Sequence, residues 1–419
     1  MKMWKRYFII FVAWILFMSN TGELGLFDAR EVAQAAESNK TKTMSVDVFL
    51  RKVERAVGLE KGFLAKENMG LNGKEPITWC QAVVFLNQAD EWKNGDDYDE
   101  KLYKQIVEKK RLTGLKGLSK EEKAAARICF AKGLITGDSK GKYSQSREFR
   151  GNDKVTVSEV HKMLVRLKDA TRRAKLSPDG QLLRTTKLPD NYEKYEYILA
   201  SFPNEFYERK LFYEMITYHY EPVNLVNYAS PKDIKKKKTI SPYVESGTFE
   251  EMYYRYGEKW IETIHNNLEC RFNFDYRTVD SKWINKLAAT YIYDEDAEYN
   301  KRVVDAIKAY IQMAKENKVV IEADKIVVEP STMYYAAAEY FVRCHVKFKI
   351  TADEIYQAKE GQLNRQHELL FSRQECVCLE NLKDGKWYEM SIDVPIRQTA
   401  GNQNPATYTI GSDQIWSWK

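Results

Sequence analysis

The sequence predicts a multidomain chain: a mainly α region of three similar helical modules, followed by an α+β domain with helices packed on a curved antiparallel sheet. Two observations support this. Three segments between residues 43 and 173 share one helix-opening pattern and one apolar spacing. Beyond residue 319 the hydrophobic period changes from that of a helix to the period of two that is typical of strands. Helices followed by strands favour an α+β arrangement.

Residues 1–35 are interpreted as a secretory signal peptide. A basic stretch ending at Arg6 precedes an apolar run from Tyr7 to Met18, and Ala33-Gln34-Ala35 fits a cleavage site. The apolar run is shorter than the ~20 residues that a membrane-spanning helix needs. We therefore expect cleavage before Ala36, a short leader over 36–42, no other transmembrane segment, and a location outside the cytoplasmic membrane.

The most complete copy of the helical pattern begins at Ala124. Its first helix stops at Gly133, where glycine can take the left-handed conformation that ends many helices. Its second helix opens at Thr156 with a capping box, in which the side chains of Thr156 and Glu159 each bond the other residue's backbone amide. Apolar residues at helical spacing predict one buried face, formed by Val160, Met163, Leu164 and Leu167.

Two earlier segments repeat this opening. Thr78 and Gln81 form the second capping box, whereas the first copy opens at Ser45 and has Val48 in place of the glutamate, so that box is broken. A helix–loop–helix unit of this size cannot bury its apolar face alone, so we expect the copies to pack together. The apolar spacing is repeated by Ala82, Phe85, Leu86 and Ala89 and by Phe49, Val53 and Ala56.

The triplet resembles the S-layer homology family. The turn Gly133-Leu134-Ile135-Thr136-Gly137 is similar to that family's Gly-Ile-Ile-x-Gly-like turn, and the opening at Ile77-Thr78 is similar to its Ile-Thr-Arg-Ala-Glu opening. The resemblance covers residues 43–173. It implies a spindle of three helical modules that holds the protein non-covalently on an anionic, often pyruvylated, cell-wall polymer.

The chain departs from the family at the motif arginine, which is replaced by Val46, Trp79 and Val157. The region 43–173 still contains 27 Lys/Arg against 19 Asp/Glu, a net charge of +8, whereas the whole chain carries +6. A basic region attracts an anionic polymer over long range. We therefore expect dispersed basic residues to make the contact, and Trp79 either stacks on a sugar ring or packs between modules. The expected polymer-binding residues are Lys132, Gly133, Gly137, Arg150 and Trp79.

Residues 174–190 lack periodicity and predict a linker or a lid across the modules. The α+β domain then covers residues 191–419. In its strand over 340–350, alternation places Arg343 and His345 on a solvated face, opposite an apolar face that includes Val342 and Cys344. The other predicted elements are helices over 249–271, 281–291 and 297–317, a strand over 319–329, and a hairpin over 376–394 that closes at Asp384-Gly385.

Chemically reactive residues form no complete motif. The sequence has no G-x-S-x-G, H-E-x-x-H or P-loop pattern. His265 and Glu269 lie four residues apart and predict a surface ion pair rather than half of a metal site. Asn273, Asp275 and Arg277 either line a pocket or satisfy the backbone at a helix C-terminus, and we favour the second interpretation. A chain of this length needs no disulfides to build a core, so free buried thiols are expected at Cys80, Cys129, Cys270, Cys344, Cys376 and Cys378.

These patterns predict a secreted cell-envelope protein that degenerate S-layer-homology-like modules hold on the cell wall, with a C-terminal domain that binds a ligand or partner, either protein or glycan. The alternative is a wall-anchored enzyme acting on glycan or peptidoglycan, with its active site in the C-terminal domain. That alternative requires two carboxylates, or a Cys/His pair, in one cleft. We expect no cofactor, no metal and no nucleic-acid partner, and we assign no catalytic residue.

Overall fold

The computed structural model describes residues 41–66, 70–210, 249–292, 297–336, 339–353, 369–371, 382–397, 405–411 and 414–418. The predicted signal peptide, most of the leader, Cys376, Cys378 and the first strand of the predicted hairpin lie outside these residues. The chain divides into two compact units. The first unit comprises Met1–Asp99, Gly114–Ile135 and Phe149–Ala174, and the second comprises Glu100–Thr113, Thr136–Glu148 and Lys175–Lys419.

Helices and strands follow the predicted order, with helices dominating before residue 319 and strands after it. The helices are α1 (Val46–Val57), α2 (Phe63–Lys66), α3 (Trp79–Asn94), α4 (Glu100–Glu108), α5 (Lys120–Ala131), α6 (Val157–Lys168), α7 (Asn204–Glu208), α8 (Phe249–Phe272), α9 (Ser281–Ala288) and α10 (Ala297–Glu316). The strands are β1 (Leu112–Thr113), β2 (Asp138–Ser139), β3 (Arg147–Glu148), β4 (Phe274–Asp275), β5 (Val320–Val328), β6 (Tyr334–Ala336), β7 (Glu339–Thr351), β8 (Trp387–Arg397), β9 (Thr409–Ile410) and β10 (Gln414–Trp418).

The capping boxes of the first unit form as predicted. Thr78 caps α3 with Gln81, and Thr156 caps α6 with Glu159, each box having both reciprocal hydrogen bonds. Ser45 makes no side-chain cap, as expected from the broken box at the start of α1. Gly133 follows α5 in the left-handed conformation with φ +68°. These ends are set by residues within one helical turn, which is why the sequence reveals them.

The three helix openings are joined by a closed ring of backbone hydrogen bonds. The Met44 N–H donates to the Val155 carbonyl at 3.1 Å, the Val155 N–H to the Ile77 carbonyl at 2.9 Å, and the Ile77 N–H to the Met44 carbonyl at 2.9 Å. Each residue lies one position before an N-cap, and each is buried. The three copies therefore meet in equivalent register at their openings.

The apolar faces of the helices form the core of this unit, where α3 packs on α1 and α5, and α1 packs on α6. The predicted face of α6 needs one correction: Val160, Met163 and Leu167 are buried, but Leu164 is only half-buried. Ala56 on α1 is likewise half-buried. Both residues lie at the edge of the apolar face of their helix, where helical spacing alone does not decide burial.

The second unit contains an antiparallel sheet in the order β10-β8-β7-β5-β4, with β6 beside β7 and β9 beside β8. The long central strand β7 pairs Cys344 with Val328 of β5 and with Ile392 of β8. A separate small sheet has the order β1-β3-β2. This arrangement of helices and an antiparallel sheet confirms the α+β class of the domain.

One face of the large sheet packs against the long helices. Trp260, Ile264 and Leu268 of α8 are buried in the same core as Val342 and Val346 of β7. The predicted apolar face of β7 is therefore correct. Among the residues that the structure describes, no helix is both long enough and apolar enough to cross a membrane.

The second face of the sheet differs from its prediction. Residues 191–210, here termed the strap, together with Tyr143, bury the half of this face that carries Arg343 and His345. The expectation of a solvated His345 is wrong, since the imidazole is 2% exposed. Period-two alternation separates the two faces of a strand, but it cannot show that a distant segment covers the polar one.

Residues 174–190 carry defined structure, and from Lys175 onward they belong to the second unit. The carboxylate of Asp179 pairs with Arg111, the guanidinium also donates to the Asp179 carbonyl at 3.0 Å, and Gly180 lies against Ile106. The linker interpretation missed these contacts because they join positions about seventy residues apart.

Candidate functional site

The predicted polymer site includes residues at the helix openings of the first unit, next to the hydrogen-bond ring. The residues in place of the motif arginine are Val46, Trp79 and Val157, and each is the first residue of its helix. Their N–H groups donate to the carbonyls of Glu75 and Asp153, each at 3.0 Å, and of Lys42 at 2.9 Å, respectively. The three positions are thus equivalent in the backbone although none carries a guanidinium.

Trp79 and Arg150 lie close together in the structure, because both contact Asp153. Asp153 accepts from the Trp79 N–H, and its carboxylate lies 3.4 Å from a guanidinium nitrogen of Arg150. The half-buried Trp79 ring meets Phe149 edge-on, with ring centroids 6.3 Å apart. Phe149 belongs to the same unit, so packing within that unit accounts for part of the burial of the Trp79 ring. Arg150, by contrast, is exposed.

Lys132 is engaged within the protein. Its ammonium lies 3.0 Å from a carboxylate oxygen of Asp90, and its side chain is only 5% exposed. Arg173 binds the other oxygen of the same carboxylate, which is fully buried. A buried carboxylate requires such partners, because an unpaired charge in the interior is costly. Lys132, which directly follows α5, therefore ties the end of α5 to Asp90 of α3.

Gly133 and Gly137 set the backbone. A Cβ added to Gly133 would lie 2.1 Å from the Ala174 carbonyl, so only glycine fits there. Gly137 belongs to the second unit and has φ +58°. Its carbonyl accepts from Arg147 at 2.8 Å. Both glycines serve local geometry, and the sequence motif does not distinguish this role from a binding role.

A basic stripe on α5 was missed by sequence reasoning. Lys120, Lys123 and Arg127 recur at i, i+3 and i+7, which places them on one side of the helix. Lys120 is exposed and the other two are half-exposed. Among the described residues, none of these three side chains forms an ion pair or hydrogen bond. The helical spacing of the lysines was the available signal.

Other basic residues of this unit bind carbonyls at a helix end or in the turn just after a helix. Lys93 donates to the carbonyls of Leu167 and Lys168 at 3.3 and 2.8 Å, and Arg166 donates to that of Leu134 at 3.3 Å. The last carbonyls of a helix have no partner within the helix, so cations there stabilise the fold. The cations of this unit therefore include structural ones as well as exposed ones, and the net charge of +8 over residues 43–173 also counts residues of the second unit.

The buried face of the sheet in the second unit carries a histidine whose pKa is strongly lowered. His345 stacks on Tyr143, with ring centroids 3.5 Å apart and planes within 10°. Burial, followed by the nearby cations Lys325, Arg209 and Lys347, lowers the pKa of His345 to about 3. Neither ring nitrogen has a hydrogen-bond partner in the described part of the chain. The imidazole is thus neutral and serves as a flat packing surface.

Arg343 is the second buried group on this face. Its guanidinium bonds the Asp393 carboxylate with both side chains fully buried, and it also donates to the carbonyls of Phe206, Arg209 and Lys210, each at 3.0 Å. These carbonyls lie in the short helix α7 and directly after it, so Arg343 fixes the end of the strap. Five charge-assisted bonds occupy this guanidinium.

Glu329, which follows β5, is fully buried. Burial raises the pKa of its carboxyl to about 8. Ser331 and Tyr207 contact its two oxygens. A perturbed carboxyl of this kind is a feature of many active sites, but structural networks produce the same effect.

The remaining candidates have structural roles. His265 lies 3.7 Å from Glu269, which is the predicted surface pair. Asn273 accepts from the Ala323 N–H, and Asp275 accepts from the backbone and side chain of Arg277, so both satisfy backbone amides, although Ala323 belongs to β5 and not to a helix end. The structure describes no group of three or more His, Cys, Asp or Glu that could hold a metal ion. Four of the six cysteines, Cys80, Cys129, Cys270 and Cys344, are free and buried as expected.

No protein-family model matches the chain, and no curated protein or solved structure is similar enough to match it.

Proposed function

We propose that this is a secreted cell-envelope protein whose first unit binds an anionic cell-wall polymer without a covalent link. The observation that carries the proposal is the ring that joins Met44, Ile77 and Val155. It relates three helix openings in equivalent register, which supports the packing of three modules that the resemblance to the S-layer homology family implies. A three-module spindle is accordingly our interpretation of this unit.

The contact with the polymer is assigned to cations that are exposed or half-exposed. Lys120, Lys123 and Arg127 on α5, together with the exposed Arg150 near Trp79, replace Lys132 as the leading contact residues. Val46 and Val157 cannot supply the bidentate fork of an arginine. Attraction through dispersed charges extends over a Debye length of ~8–10 Å at ordinary salt, so binding should weaken steeply as salt rises.

The second unit is proposed to bind a partner, either protein or glycan. Two large aromatic side chains support this role: Tyr254 on α8 is 62% exposed and Trp387 on β8 is 42% exposed. Aromatic residues are enriched at interfaces relative to the rest of a protein surface.

The test is sedimentation of the full-length protein with purified cell wall. Full-length protein is required because the first unit is built from three separate segments of the chain. Replacement of Lys120, Lys123 and Arg127 by glutamine should weaken binding by roughly threefold to a hundredfold, if each exposed charge contributes 0.2–1 kcal/mol. Binding by the unaltered protein should fall as salt is raised.

A matched control removes the same number of positive charges from the second unit. Lys301, Arg302 and Lys308 are exposed on α10 of the second unit, and their replacement by glutamine should leave binding unchanged. Equal losses in the two triple variants would show that only total charge matters. No binding to any wall preparation, or binding that is insensitive to salt, would reject the proposal.

A further inference from the structure

The hydroxyl of Ser331 lies between two oxygen atoms. Its Oγ is 2.9 Å from the carbonyl oxygen of Tyr197 in the strap and 2.7 Å from Oε2 of Glu329. A hydroxyl has one hydrogen to donate, and a carbonyl oxygen can only accept. An ionised carboxylate can also only accept. With Glu329 ionised, one of these two short contacts would lack a hydrogen.

A proton on Glu329 satisfies both contacts. Protonated Oε2 donates to Ser331 Oγ, and the Ser331 hydroxyl then donates to the Tyr197 carbonyl. The other carboxyl oxygen, Oε1, accepts from the Tyr207 hydroxyl at 3.4 Å, and that hydroxyl in turn accepts from the Leu199 N–H at 3.0 Å. Both oxygens of Glu329 therefore connect to the strap, one through Ser331 and one through Tyr207.

We propose that a single proton on Glu329 holds the strap on the sheet, and that the strap opens more readily as rising pH favours loss of this proton. Loss of the proton removes the donor to Ser331. The lone hydroxyl hydrogen then turns to the carboxylate, and the Tyr197 carbonyl loses its partner inside the protein. At the same time a negative charge appears at a fully buried position, which is costly without a cation.

Among the described residues, no cation is close enough to shift the pKa of Glu329. Arg343, whose carbonyl accepts from the Glu329 N–H at 3.1 Å, is committed to Asp393. Asp179 opposes a second negative charge and raises the pKa of Glu329. The Tyr207 hydroxyl from the strap contacts the carboxyl, and the Tyr253 phenol from α8 interacts with it electrostatically.

The remaining neighbours act through these phenols. Burial raises the pKa of Tyr207, Tyr253 and Tyr197, so these hydroxyls stay neutral. The positive charge of Arg184 offsets part of the rise in the pKa of Tyr207. The negative charge of Glu196 adds to the rise in the pKa of Tyr197 and Tyr253. Glu329 is therefore the group in this set whose charge changes near pH 8.

The direction of the pH effect follows from the raised pKa. The closed strap binds the proton up to about pH 8, while an open, solvated glutamate releases it near its ordinary pKa of about 4.3. Between these values the closed state holds more protons than the open state. Opening should therefore become about tenfold more favourable for each pH unit across this window and level off above it.

Hydrogen exchange of residues 195–207 in the full-length protein tests this. The protection factor, which is the ratio to the exchange rate of the unfolded peptide at the same pH, should fall about tenfold per unit from pH 5 to 8. In Glu329→Gln the amide NH₂ donates to Ser331 as the protonated acid does, so protection should stay high and flat. The control Glu322→Gln, at an exposed position on β5, should keep the slope of the unaltered protein.

Two further measurements keep the test decisive if Glu329→Gln fails to fold. In the unaltered protein, the infrared band of a protonated carboxylic acid should persist through neutral pH and disappear near pH 8. Ser331→Ala breaks the relay and should lower protection of residues 195–207 at pH 6. A flat protection profile in the unaltered protein, or the absence of that infrared band at pH 6, would overturn the proposal.

Discussion

Arg343 and Asp393 form a two-pronged ion pair across neighbouring strands with no exposure to solvent. Nε of the arginine lies 2.9 Å from one carboxylate oxygen, and one terminal nitrogen lies 3.3 Å from the other. The Tyr334 hydroxyl adds a third bond to Asp393 at 3.1 Å. The strap depends on this pair, because the same guanidinium binds three carbonyls at its end.

Removing one member of this pair should destabilise the second unit strongly. Arg343→Met leaves the buried Asp393 carboxyl without its partner, and we expect a loss of about 3–5 kcal/mol in the free energy of unfolding, measured by denaturant titration. The control is Lys347→Met on the same strand, which breaks the partly exposed pair with Asp324 and should cost no more than about 1 kcal/mol. Equal effects would show that the buried pair has no special role.

The caps of the first unit provide a second prediction. Thr156→Ala removes the acceptor for the Glu159 N–H and should cost about 1 kcal/mol. Ser45→Ala is the matched control, because Ser45 occupies the equivalent N-cap without a side-chain hydrogen bond. It should cost clearly less in the same thermal unfolding experiment. A larger loss at Ser45 would contradict the assignment of the caps.

Burial on α6 gives a third prediction. Met163 is 1% exposed, so Met163→Ala should cost about 2–5 kcal/mol through lost burial and the cavity left behind. Leu164 is half-buried, so Leu164→Ala should cost less. Calorimetry of the two variants orders them directly. The reverse order would place Leu164, not Met163, in the core.

The neutral His345 makes stability depend on acid pH. Its folded pKa of about 3 lies below the ordinary value of about 6.5. The unfolded chain therefore binds more protons between these values, and the stabilising contribution, complete above pH 6.5, is lost as the pH falls toward 3. The slope is at most about 1.4 kcal/mol per pH unit.

His345→Phe should remove this slope while keeping a flat ring against Tyr143. Denaturant titration at several pH values measures the slope of the free energy of unfolding. His161→Gln, at an exposed position on α6, is the control and should leave the slope unchanged. An unaltered slope in His345→Phe would assign the acid sensitivity to other groups.

Much of the fold could be predicted because its signals are local. The caps at Thr78 and Thr156, the left-handed Gly133 and the periods of the long helices and strands each depend on residues a few positions apart. The alternation in β7 identified its apolar face for the same reason. A wall-binding role remains a proposal that rests on these local signals and on the resemblance.

The sequence by itself determined where helices and strands begin, which faces are apolar and where free thiols occur. Only the tertiary structure decided that Lys132 pairs with Asp90, that Tyr143 and the strap bury His345, and that Ser331 lies between Glu329 and the strap. Each of these depends on which distant segment covers a polar group. Burial then sets the charge of that group, and no local pattern carries this information.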